Sequence, residues 1–246
     1  MPADGKRKDE ELLAESGFEK TVYEEDLEAL EKAIESDPLN GALWYQKGIA
    51  LRKLGHYDKA LVALVKATEL EPDNASTWRG LAAIRCQLGL HEEAVKACEK
   101  SIALDPANAR TWILRGFAKH HLRDYEQSVE SYARAIELDP LGAEGRKAWN
   151  NRGAALDNLS RHEEAIEAYE EAILIDPFDI YAWNNEGVAM GALSRHEEAV
   201  KCFRMALEIE PSYATAWKNL GIALKSLGKV EEAEKAMSRA RELGLN

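Results

Sequence analysis

Asn151, Asn185 and Asn219 recur at an interval of 34 residues, and Asn150 and Asn184 stand directly beside two of them. Asparagine is not a preferred residue for a helix interior, yet these positions lie in stretches with helical spacing of small and apolar residues. Each side chain offers an amide donor and a carbonyl acceptor. That pair matches the backbone of a peptide and leaves the identity of the peptide's side chains open. The chemistry is capture, not bond breaking. Arg79, Arg110, Lys147 and Lys218 fall on the same face by angle, and would favour acidic side chains or a C-terminal carboxylate.

The other reactive residue types point away from catalysis. His91, His162 and His196 share one place in a repeating pattern that Tyr57 and Tyr125 fill elsewhere, which suits turn packing; a metal site would need them to converge. His120-His121 are neighbours without a carboxylate or cysteine at ligand spacing. Cys86, Cys98 and Cys202 are odd in number and lie in helical patterns, so they read as reduced thiols. Glu92-Glu93, Glu163-Glu164, Glu197-Glu198 and Glu231-Glu232 each open a helix, where the helix dipole favours anions. No Gly-rich phosphate loop, Ser-His-Asp set or metal signature is present. The expectation is a protein with no catalytic residue, metal or cofactor.

Charge and hydropathy narrow the partners. The net charge of -12 argues against general nucleic-acid binding, and the cationic face lacks the aromatics on which bases stack. No apolar run approaches the length of a membrane span, and MPADGKRKDEELLAESG has no apolar signal core. A cytoplasmic location follows as an expectation.

The elements that carry these residues are short and repeated. Trp44, Trp78, Trp112, Trp149, Trp183 and Trp217 are separated by 34, 34, 37, 34 and 34 residues. Every proline except Pro2 keeps the same beat, from Pro38 to Pro211. Counting the tryptophan as position 4 of the unit, position 8 reads Gly48, Ala82, Gly116, Gly153, Gly187 and Gly221. Position 24 is large at Leu64, Tyr132, Tyr169, Phe203 and Met237, while positions 20 and 27 are alanine or serine throughout. Small residues let two helices approach; large ones fill the space beside them.

At this spacing of tryptophan, small residue, alanine, aromatic, alanine and proline, the chain resembles the tetratricopeptide repeat family. The resemblance covers Gly41 to Asn246 as six repeats, at 41–74, 75–108, 109–142, 146–179, 180–213 and 214–246. It implies an all-α, right-handed α-solenoid of antiparallel helix-turn-helix units, about 13–14 helices in all. Residues 1–9 are expected to be a disordered tail, and 10–40 a degenerate capping repeat using Leu12, Leu13, Phe18, Leu27, Leu30, Ala33 and Ile34. Ala143-Glu144-Gly145 are extra, and either lengthen a first helix or bulge a loop. Position 7, usually leucine in the family, is Lys47, Arg115, Arg152 and Glu186 in four repeats; the expectation is stems lying on neighbouring helices with charges in water. In the last helix Glu234 and Arg241 replace apolar residues, as suits a terminal cap.

In tetratricopeptide proteins the side of the first helix opposite its buried stripe lines a concave groove. At 100° per residue that side holds positions 2, 6, 9 and 13, flanked by 5 and 12. It carries Arg52, Lys53, Arg79, Arg110, Lys147, Lys218 and Lys225 against a single anion, Asp157. The asparagines there resemble the ladder by which some family members hold an extended segment. A two-carboxylate clamp of the chaperone-binding kind is not expected, because position 9 is Ile49, Ala83, Phe117, Ala154, Val188 and Ile222 where the clamp needs asparagine. The resemblance thus implies a protein-interaction module. Its peptide-binding residues would be Asn150, Asn151, Asn184, Asn185, Asn219, Arg79, Arg110, Lys147 and Lys218, and its partner an extended or helical segment of another protein, with acidic side chains or a free C-terminal carboxylate as the kind the cations would favour. The alternative is a structural scaffold that assembles through its ends or convex face, self-association included.

Overall fold

A tryptophan indole and a proline carbonyl tie four of the repeats to the turn before them. Trp44, Trp78, Trp183 and Trp217 each donate from Nε1 to the carbonyl of the proline six residues earlier, at 2.7–2.9 Å. This bond explains why the two rare residues keep one beat. It satisfies a buried-side indole and holds the turn against the first helix that follows.

The structure, a computed structural model, describes residues 23–245. The expected tail at 1–9, and Leu12, Leu13 and Phe18, lie outside the described residues. Among the described residues are thirteen helices and no strand. They are α1 (23–36), α2 (Gly41–Lys53), α3 (Tyr57–Leu70), α4 (Ala75–Gln87), α5 (His91–Leu104), α6 (Ala109–His121) and α7 (Tyr125–Leu138). After them come α8 (Ala143–Asn158), α9 (His162–Ile175), α10 (Ile180–Ala192), α11 (His196–Ile209), α12 (Ala214–Ser226) and α13 (Val230–Glu242).

The chain forms two compact units, one up to Pro106 and one from Ala107 onward. In the first, α2 packs on α3, α3 on α4 and α4 on α5, while α2 also meets α4. The second unit repeats the scheme from α6 to α13, with α6, α8, α10 and α12 touching in succession. Three-residue turns close the helix pairs, so partners run antiparallel. Each turn contains a left-handed residue, which is glycine at Gly55, Gly89 and Gly228 but Arg123, Ser160 and Ser194 elsewhere. Asn40, Asn74, Asn108 and Asp179 cap the helices that follow them, accepting from backbone N–H groups of the first turn.

Inside a pair, the small residue of the first helix faces the large one of the second. A Cβ on Gly153 would lie 2.5 Å from the Tyr169 ring. The ring cannot retreat, because the Tyr169 hydroxyl donates to Asp157 Oδ2 at 2.9 Å. Around these contacts the alanines of positions 20 and 27, such as Ala165 and Ala172, are fully buried. Where serine replaces alanine it is satisfied: Ser128 Oγ donates to the Gly116 carbonyl at 2.8 Å.

The extra residues Ala143-Glu144-Gly145 form the first turn of α8, which is therefore longer than the other first helices. Asp139 receives the backbone N–H groups of Glu144 and Gly145, and its carbonyl lies so close to Gly145 that any side chain there would collide. Nine residues now separate Pro140 from Trp149. Among the described residues Trp149 does not make the indole–proline bond; the Arg152 guanidinium sits over its ring, 5.3 Å from the centroid.

The expectation that all four long position-7 residues keep their charges in water fails. Lys47 does reach Glu31 at 2.8 Å, but Arg115 turns inward to Ser131 Oγ and Gln127 Oε1, and the Nε of Arg152 is buried. Glu186 is buried outright, with one carboxyl oxygen lacking a hydrogen-bond partner. Burial, then repulsion from Glu170, pushes its carboxyl up to about 7, against a hydrogen bond from Cys202 and the attraction of Arg195. The chain reverses direction between α10 and α11, and position 7 lands under that second helix regardless of its polarity.

Gly153→Ala is expected to lower stability by about 1–3 kcal/mol in urea unfolding, through overpacking against a ring that is pinned. Glu186 gives a pH test. Its folded pKa is raised, so the folded state holds the proton more tightly. Its favourable contribution is full below the unfolded pKa and is lost as pH rises toward about 7. Glu186→Leu, matching Leu81 and Leu220 at the same position, is expected to raise stability by roughly 1–3 kcal/mol at pH 8. Unfolding curves of both chains should converge as the pH is lowered to about 5.

Candidate functional site

The candidate site is the face of α6, α8, α10 and α12 that turns away from their second helices. Four of the expected residues meet there in a row. Asn219 donates from Nδ2 to Asn184 Oδ1 at 2.9 Å, bridging α12 to α10. Asn184 donates to Asn185 Oδ1 at 3.3 Å, and Asn185 donates to Asn150 Oδ1 at 3.2 Å, bridging α10 to α8. The result is an amide relay across three first helices. Asn184 is buried within it, so its polar atoms are committed to the protein. Asn151 stands outside the relay; it is half-buried and has no hydrogen-bond partner among the described residues.

Position 6 alone therefore does not define a uniform ladder. Each bridge joins position 6 of one repeat to position 5 of the repeat before it. The signal was present in the sequence as the Asn-Asn doublets at 150–151 and 184–185. Relays of this kind leave some valences open, because each amide has two donors and two acceptor lone pairs and uses only one or two of them here.

The cations are less free than their spacing implied. Arg110 pairs with Glu144 at 2.8 Å, and Lys147 lies 3.7 Å from the same carboxylate. Glu144 belongs to the added turn of α8, so the insertion brings an anion onto the cationic face. Lys218 and Lys225 are exposed on α12. Arg79 lies on α4 of the first unit, half-buried, and donates to Ser76 Oγ at 3.1 Å. Asp157, read as the one anion of the face, is turned inward instead: it accepts from Tyr169 and meets His162 Nδ1 at 2.9 Å. Its carboxylate locks the α8–α9 pair.

His120 and His121 sit among rings and amides. His120 contacts the Tyr125 ring at 5.2 Å and Asn158 Nδ2 at 3.1 Å, and Phe117 tilts against His121 at 4.4 Å. Burial, and then the neighbouring His121, lower the His120 pKa. The three cysteines are buried, and burial pushes the Cys86 thiol up to about 11, away from nucleophilic use. Among the described residues no group of three or more His, Cys, Asp or Glu side chains could hold a metal ion.

Position 9 is where sequence reasoning stopped short. Its apolar residues served only to exclude a carboxylate clamp, yet Phe117, Val188 and Ile222 are exposed on this face, at 37, 46 and 49%. Val188 and Ile222 share a cavity of about 220 Å³ between α10 and α12. The face thus combines amides, cations and apolar contact area.

Comparison with known proteins agrees with this architecture. Models described as tetratricopeptide repeat match residues 23–67, 45–109, 109–140 and 147–179, and one described as TPR repeat matches 192–228. A crystal structure of MamA is 30% identical, with 68% of this chain and 96% of that one covered, at a TM-score of 0.62. The chain belongs to the tetratricopeptide repeat family. Two more distant solved structures share its fold. YrrB, a TPR protein with an unusual peptide-binding site, is 23% identical over 77% of this chain and 96% of its own, with a TM-score of 0.62. A tetratricopeptide repeat protein from Parabacteroides merdae is 18% identical over 96% and 93%, with a TM-score of 0.72. Among curated protein sequences, none matches. Tetratricopeptide repeat proteins are generally protein-interaction modules, and the chain is a protein-interaction scaffold of that fold.

The two kinds of asparagine separate by stability. Asn184→Ala strips the partner from Asn219 and one of two partners from Asn185, and is expected to cost about 1–3 kcal/mol in urea unfolding. Asn151→Ala, at an amide with no internal partner, should stay within about 0.5 kcal/mol of the parent.

Proposed function

We propose that this chain captures an extended segment of a partner protein along the first-helix face of its second unit. The observation that carries the reading is the amide relay. Asn150, Asn184, Asn185 and Asn219 form it; Asn184 is buried and holds it together, while the half-buried Asn150, Asn185 and Asn219, with Asn151 beside them, keep open donor and acceptor valences for a peptide backbone. Lys147, Lys218 and Lys225 favour acidic side chains or a terminal carboxylate, and the acidic remainder of the chain keeps such a ligand from settling elsewhere. Arg110, held by Glu144, contributes geometry more than net charge. Arg79 lies on the first unit and is no part of this face. Binding, with no chemical step, accounts for every residue named.

A random 12-residue peptide display library selected on the full chain tests this. Acidic segments are expected to be enriched, and their affinity should fall about tenfold between low and high salt. Lys147→Glu together with Lys218→Glu should abolish the enrichment while leaving the melting temperature nearly unchanged, since both side chains are exposed. Segments that bind this double variant as well as the parent overturn the reading.

A second reading, self-association, rests on one feature. Leu207, Trp217, Leu220 and Leu224 line a cavity of about 410 Å³ among α11, α12 and α13. A monomer mass at every concentration in sedimentation would exclude it.

A further inference from the structure

Position 12 of the first helix carries Arg52, Cys86, His120, Asp157 and Lys225 in five repeats, and Gly191 in the fifth. Neither backbone nor packing requires that glycine. It is absent from the left-handed residues, and a Cβ built on it meets nothing within 4 Å. In the last turn of α10 it weakens the helix relative to alanine. What it does is leave space. The cavity of about 220 Å³ opens above it, floored by the Phe203 ring and Gly187 and walled by Val188, Ile222 and Asn219.

We propose that this cavity is a specificity pocket that takes one aliphatic side chain, of leucine or methionine size, from an acidic segment of a partner protein. The inference rests on the segment-binding reading above and adds the residue that decides which segment is held. The volume lies below the roughly 300–1,000 Å³ of small-molecule sites and suits a single side chain. The lining is mostly apolar; its polar members are His196, Ser226 and Asn219, the last of which belongs to the amide relay. Charge selects the flanks of the ligand. Lys218 and Lys225 are exposed on α12 beside the pocket, with no ion pair among the described residues, on a chain of net charge -12. An aliphatic residue with Asp or Glu next to it satisfies both features, and a basic segment is repelled by the lysines even where it carries an aliphatic residue.

The test uses the same 12-residue display library on the full chain and on Gly191→Leu, whose added side chain fills the open space. Segments enriched on the parent are expected to share one Leu, Ile or Met at a fixed distance from an acidic residue. Measured by fluorescence anisotropy with a synthetic peptide of the enriched sequence, Gly191→Leu should weaken binding about tenfold or more. Leu→Ala within the peptide should do the same on the unaltered protein, which requires no protein variant to fold. The two losses should not add, because each empties or blocks the same pocket. Peptides that bind Gly191→Leu within about twofold and tolerate loss of their aliphatic residue, yet are lost on Lys147→Glu/Lys218→Glu, overturn the pocket and leave the groove reading standing. Peptides indifferent to all these variants, or a library that enriches nothing on the parent, overturn both.

Discussion

In five of the six helix pairs from α2 to α13 a glycine on the first helix meets a large side chain on the second, and that contact sets how closely the two helices lie. Gly153 against Tyr169 and Gly187 against Phe203 show how little slack there is: one added carbon would enter the ring. Buried alanines at positions 20 and 27 let the second helix lie close on both sides. The next pair then stacks on the stripe that remains, and the indole–proline bond holds the turn between them. None of these pairs could bury its apolar stripe alone. Stability comes from neighbours, as in other stacked repeats.

That construction frees one side of each first helix from packing, and it is there that the repeats differ. The asparagines of α8, α10 and α12 serve the protein itself. Two amide bridges clasp successive first helices and hold the face in one arrangement. Amides, apolar residues at position 9 and exposed lysines share that surface. The insertion at Ala143–Gly145 modifies this surface at one end. It lengthens α8, removes the indole–proline bond of Trp149 and sets Glu144 between Arg110 and Lys147.

Polar residues in unexpected places mark where stacking overrides local preference. Glu186 stands where two other repeats have leucine, and it is buried because stacking encloses that position in α10 whatever side chain it carries. Asp157 lies near the outer side by angle, but its carboxylate finds Tyr169 and His162 within reach and turns toward them. In both cases the partner sits on a different helix, more than ten residues away for Cys202 and Tyr169. A helical wheel contains no information about such partners.

What the sequence determined by itself is the repeat: the 34-residue beat of tryptophan and proline, the small and large positions that set helix spacing, and the side of each first helix left open. These follow from local periodicity and residue size, which are written along the chain. Only the tertiary structure decided how the polar side chains of different repeats pair. The Asn219–Asn184 and Asn185–Asn150 bridges, the claim of Glu144 on Arg110, and the opening above Gly191 all arise between helices. Their physical reason is that hydrogen bonds and cavities depend on distances of a few tenths of an ångström across a helix interface, and sequence spacing within one helix does not encode them.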